Sequence, residues 1–192
     1  MYPIGIINGA WLVLTEPYMY NNRGGLPPVA SQMDEIRKLG DDALRVHPKC
    51  KEGMGKDAIL CLIPYVAFPF IKTPIFIAQS YFDTHTIFAL HNVPIEDLLN
   101  PMVISYIDRM YDATTAALQL AIGRAKTGMY LTSCLEHLIP WNGMGTVQAL
   151  TLREAFGRWY FEDPSTKIIE ECAFVGCGVD CVNDFDFKRP TY

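Results

Sequence analysis

Two hydrophobic patterns alternate along the chain: short unbroken apolar runs, and longer stretches in which apolar residues recur every three or four positions. Ile4 to Leu14 is almost wholly apolar, as a strand buried on both faces requires, and Glu16-Pro17 ends it. Asn21-Asn22-Arg23-Gly24-Gly25-Leu26-Pro27-Pro28 reads as a loop. Ser31 is placed to cap a helix whose partly apolar face, Met33, Ile36, Leu39 and Leu44, runs to about Val46. A loop bounded by Cys50 and Cys61 is expected next.

Thr73 to Ser80 is rich in β-branched and aromatic residues and predicts a second strand, with Pro74 near its start where no ladder donor is lost. From Met102 to Gly123 the period changes, because Ile104, Ile107, Tyr111, Leu118 and Ile122 fall on one face of a helix. Gly128 to Ser133 predicts a third strand, and Val147 to Phe161 a last helix with Leu152, Phe156 and Trp159 towards its buried side. Alternating strands and helices imply an α/β fold with a parallel sheet and crossover helices.

Composition narrows the function. With 192 residues, 50% hydrophobic and 19% charged, the chain holds enough apolar material for one core. A net charge of −5 and the absence of long basic runs leave no surface for a phosphate backbone, so nucleic acid is excluded as an expected partner. The apolar run Ile59 to Ile71 is broken by Pro64 and Pro69, and no segment reaches the roughly 20 apolar residues of a transmembrane helix. The start, Met1-Tyr2-Pro3-Ile4-Gly5, lacks a basic n-region and does not read as a secretory signal. Six cysteines, three of them within Cys172 to Cys181, nevertheless suit a disulfide-forming compartment; reduced thiols or a zinc cluster is the other reading.

In open α/β sheets reactive groups sit in loops at the carboxyl ends of strands. After the second strand comes Ser80-Tyr81-Phe82-Asp83, and after the third comes Ser133-Cys134-Leu135-Glu136-His137. An acid and then a histidine in that chain order is how an α/β-hydrolase delivers the last two members of its triad. The histidine takes a proton from a serine hydroxyl, while the carboxylate fixes the imidazole tautomer and stabilises the imidazolium. Plainer roles are a helix N-cap for Asp83 and a backbone-bonded buried side chain for His137. His85, His91 and His137 with their acidic neighbours form a third, metal-binding reading.

Four segments carry a family resemblance. Thr73 to Phe88 resembles the stretch of the pectin acetylesterase/Notum carboxylesterase family in which a Pro-(Leu/Val)-Phe-Ile strand runs into an aromatic-Asp pair. Gly128 to His137 is similar to its strand ending in Ser-Cys-x-x-His, and Thr151 to Phe161 to its Gly-x-Trp-Tyr-Phe helix. Cys172 to Cys181 is similar to its terminal cysteine cluster in spacing though not in prolines, and Cys50 and Cys61 sit where it has a local cysteine pair. The resemblance places Asp83 on the catalytic acid and His137 on the catalytic histidine. It departs at Leu138, where the family has a cysteine, and at Thr86, where it has a glutamine.

The family's nucleophile lies in a Gly-x-Ser-Ala-Gly-Gly elbow, and no Gly-x-Ser-x-Gly occurs here. Ser133 is the nearest serine to His137 in sequence but lacks flanking glycines. Residues 1–192 are therefore expected to form a single partial α/β-hydrolase domain, the C-terminal half, with a disulfide-rich tail. The resemblance implies a serine carboxylic-ester hydrolase whose serine comes from a companion chain or a missing N-terminal half covering an apolar sheet edge. It implies no cofactor, an ester substrate on polysaccharide or acylated protein, and a secreted or endomembrane location. The alternative is a catalytically inactive, hydrolase-derived subunit of a larger assembly.

Overall fold

Among the described residues four strands lie side by side in chain order, all parallel: β1 (Gly5–Asn8), β2 (Ile75–Ser80), β3 (Thr127–Thr132) and β4 (Lys167–Ile169). The computed structural model describes residues 5–8, 35–39, 45–90, 93–142, 145–174, 177 and 181. Its main helices are α1 (Pro48–Met54), the single turn α2 (Pro64–Ala67), the 22-residue α3 (Pro101–Ile122) and α4 (Leu152–Phe161).

Side-chain alternation along β2 and β3 explains the layering, because successive residues face opposite sides of a sheet. Ile75, Ile77, Met129 and Leu131 pack on one side against Val103, Tyr106, Ile107, Met110 and Leu118 of α3. Phe76, Ala78 and Tyr130 pack on the other against Leu152, Ala155 and Trp159 of α4. Both central strands are thus buried on both faces, as expected of a parallel sheet. At β1, the outermost strand among the described residues, that expectation fails: Ile6 is 47% exposed.

Helix α3 starts where Asn100 accepts the Met102 N–H and Pro101 occupies the first turn, where a missing donor costs nothing. The expected strand and helix cores at Thr73–Ser80, Met102–Gly123 and Gly128–Ser133 are present within one or two residues. The expectations for residues 9–28 and for Ser31 as a cap lie outside the described residues.

Three further expectations need correction. The helix expected to reach Val46 has no helical backbone from Arg45 to His47. His47 is extended (φ −57°, ψ 124°), as a residue preceding a proline prefers, and Pro48 then opens α1. The expected loop from Cys50 to Cys61 is instead helical, α1 running into a 3₁₀ stretch over Gly55–Leu62, with a Cys50–Cys61 disulfide across it. Gly55, at φ +54°, is the break between the two.

The last helix begins at Leu152, not Val147. Gln148 and Ala149 both have positive φ (53° and 61°), and Val147 and Leu150 exchange both backbone hydrogen bonds at 3.0 Å. That geometry is a two-residue reversal, which no helix can contain. A capping box between Thr151 and Glu154 then starts α4. The short strand β4 was not anticipated.

Candidate active site

Strands β2 and β3 end level with one another, with Ser80 paired to Thr132. The loops that leave them are stitched together by backbone and side-chain hydrogen bonds. Tyr81 N–H donates to the Thr132 carbonyl at 2.9 Å, and Thr84 N–H to the Glu136 carbonyl at 3.4 Å. The Ser80 hydroxyl donates to the Cys134 carbonyl and accepts the Phe82 N–H at 2.9 Å. Cys134 is bonded to Cys181, so the histidine loop is also tied to the C-terminal segment.

From this frame Asp83 and His137 meet. Asp83 Oδ2 lies 2.7 Å from His137 Nδ1, and Asp83 Oδ1 accepts the Thr86 N–H at 2.6 Å. Asp83 is 3% exposed, whereas the His137 side chain keeps 30% of its surface. A buried carboxylate on one imidazole nitrogen holds the ring in a single tautomer and directs proton exchange to the other nitrogen.

The segment after Asp83 winds into a π-helical stretch, His85–Leu90, a geometry frequent at functional sites. It brings the His85 ring to 4.8 Å from the His137 ring, centroid to centroid, at 33°. In the sequence His85 stands out only as a candidate metal ligand. His91 lies outside the described residues, and among those described no three His, Cys, Asp or Glu side chains gather as a metal site.

The carboxyl ends of the neighbouring strands add a polar shelf. Glu170, just past β4, accepts the Ser133 N–H at 2.5 Å. Tyr81 is buried, and burial first, then Tyr111 and Glu170, pushes its phenol far up, so it stays neutral. Ser133 is fully buried at the sheet end. The aromatic side chains of Phe68, Tyr81 and Phe82 lie in the main core. Trp141 instead stands edge-on to Phe156, 5.3 Å away.

Residues 27–182 match the family model described as pectinacetylesterase. Two crystal forms of the Wnt deacylase Notum from Drosophila are similar in structure, with TM-scores of 0.67 and 0.69 at 20% sequence identity. Both matches take in 92% of this chain but 47% and 48% of Notum, so the chain spans about half the length of the structures it matches. No curated protein matches it in sequence. The shared architecture is the parallel sheet with helices on both faces.

Proposed function

The chain belongs to the pectinacetylesterase family, and from that premise we propose that it is part of a serine carboxylic-ester hydrolase in which Asp83 is the orienting acid and His137 the general base. The 2.7 Å contact between Asp83 Oδ2 and His137 Nδ1 carries this reading. The nucleophilic serine belongs to polypeptide outside these 192 residues, either a companion chain or an N-terminal half.

With Nδ1 committed to Asp83, His137 Nε2 takes the proton as the serine oxygen attacks the ester carbonyl carbon. His137 then returns that proton to the departing alcohol oxygen, leaving an acyl-serine. Water repeats the sequence on the acyl-serine and releases the carboxylic acid. Ile6, half exposed on β1, the outermost strand among the described residues, supports a covering polypeptide on that side, since a parallel sheet is normally buried.

Substrates follow from the relatives. The family description points to O-acetyl groups on polysaccharide, and the similar Notum structures, a Wnt deacylase, point to an acyl group on protein. Disulfides at Cys50–Cys61, Cys134–Cys181 and Cys172–Cys177 favour a secreted or lumenal location.

The test is fluorophosphonate labelling of the native assembly, with mass spectrometry locating the adduct. A labelled serine on a co-purifying polypeptide, lost in His137→Ala, supports the reading. An assembly that takes no label on any chain sinks it and leaves a structural subunit.

A further inference from the structure

We propose that His85 is a positioning residue: its ring lies against the face of His137, holding the imidazole in line with Asp83 and keeping water from the hydrogen bond between them. This rests on the reading of His137 as the general base.

A carboxylate bonded to one nitrogen fixes an edge of the ring but not its tilt, because the terminal torsion of histidine is broad. A second ring on the face removes that freedom. At 4.8 Å and 33° the His85–His137 pair lies within the range where aromatic contacts attract.

The backbone around His85 is fixed to the same aspartate. Thr86 N–H donates to Asp83 Oδ1 at 2.6 Å, and Ile87 N–H to the Asp83 carbonyl at 3.0 Å. One short segment therefore supplies the carboxylate for the edge of His137 and the ring for its face. His85 is itself exposed while Thr84, Thr86 and Ile87 around it are buried, so its neighbours anchor the turn and its ring is left for the contact. With the His137 side chain 30% exposed, a ring over it limits water's approach to Nδ1–H.

The experiment is proton NMR of the native assembly, following the downfield Nδ1–H signal of His137 in four proteins: wild type, His85→Phe, His85→Ala and Asp83→Asn. A flat ring suffices for the proposed role, so wild type and His85→Phe should show equally long-lived signals. In His85→Ala the exchange of that proton with water should rise roughly 2- to 10-fold, the range expected for losing one ring contact. In Asp83→Asn the signal should vanish.

An unchanged lifetime in His85→Ala, or a lifetime in His85→Phe as short as in His85→Ala, overturns the positioning role and leaves the acid–base pair standing. A signal missing from the wild type, or surviving in Asp83→Asn, overturns the pair and the inference with it.

Discussion

Asp83 divides its carboxylate between two partners: Oδ2 faces His137 Nδ1 at 2.7 Å, and Oδ1 takes the Thr86 N–H at 2.6 Å. The two roles weighed for this residue, cap and triad acid, are therefore compatible. Capping the turn fixes the carboxylate in the rotamer that the imidazole needs. The site's acid is held by local backbone, and the histidine is held by the neighbouring strand's loop.

At Gly128 helix α4 packs closely against the sheet. A Cβ there would lie 2.5 Å from Phe76 Cδ2 and 2.5 Å from Trp159 Cδ1. Both rings are buried and packed together, so neither can retreat cheaply. Gly128→Ala should destabilise the chain by about 1–3 kcal/mol. A urea titration checks this, and an unchanged midpoint would show that the sheet and helix are further apart.

Thr86 carries a buried hydroxyl that finds no hydrogen-bond partner among the described residues. Leaving such a group dry costs about 1–3 kcal/mol, and valine has the same shape without the oxygen. Thr86→Val should therefore raise stability by about 1 kcal/mol, since the Thr86 N–H to Asp83 is retained. A lower denaturation midpoint in the variant would reveal a partner for the hydroxyl.

The Thr151–Glu154 capping box makes stability depend on pH. The Thr151 N–H and then its hydroxyl hold the Glu154 carboxyl below its ordinary range. A carboxyl with a depressed folded pKa contributes stability that is complete above its unfolded value, about 4.3, and is lost as pH falls through the folded one. Glu154→Gln should flatten the pH dependence of thermal stability below roughly pH 5. Parallel wild-type and variant curves in that range would contradict it.

Much of this was legible in the sequence, and each miss has its own physical cause. Both central strands announce themselves as short runs of β-branched and apolar residues and α3 by its period, and the acid and histidine loops follow those strands directly. The helical turns between Cys50 and Cys61 were hidden because Gly53, Gly55 and the polar Lys51 and Glu52 resemble a loop, while Pro48 as a helix opener was the readable clue. The start of α4 was likewise written in Thr151-Leu152-Arg153-Glu154, a capping-box pattern. The reversal at Gln148 and Ala149 had no such signal, since neither residue favours positive φ. β4, three residues long, is defined by pairing to β3 and has no period of its own. His85 beside His137 is a contact of tertiary geometry, for which the spacing Asp83-x-His85 was the sole hint.

The central claim is that Asp83 acts through His137 on a serine, and kcat for hydrolysis of an acetyl ester by the native assembly tests it most directly. Asp83→Asn should lower kcat by about 10⁴-fold with KM little changed, because the wrong tautomer is held in an intact site. His137→Ala should fall at least as far, and combining the two should add little, as befits groups that work as one unit. Turnover that survives either substitution within a few-fold would contradict the account.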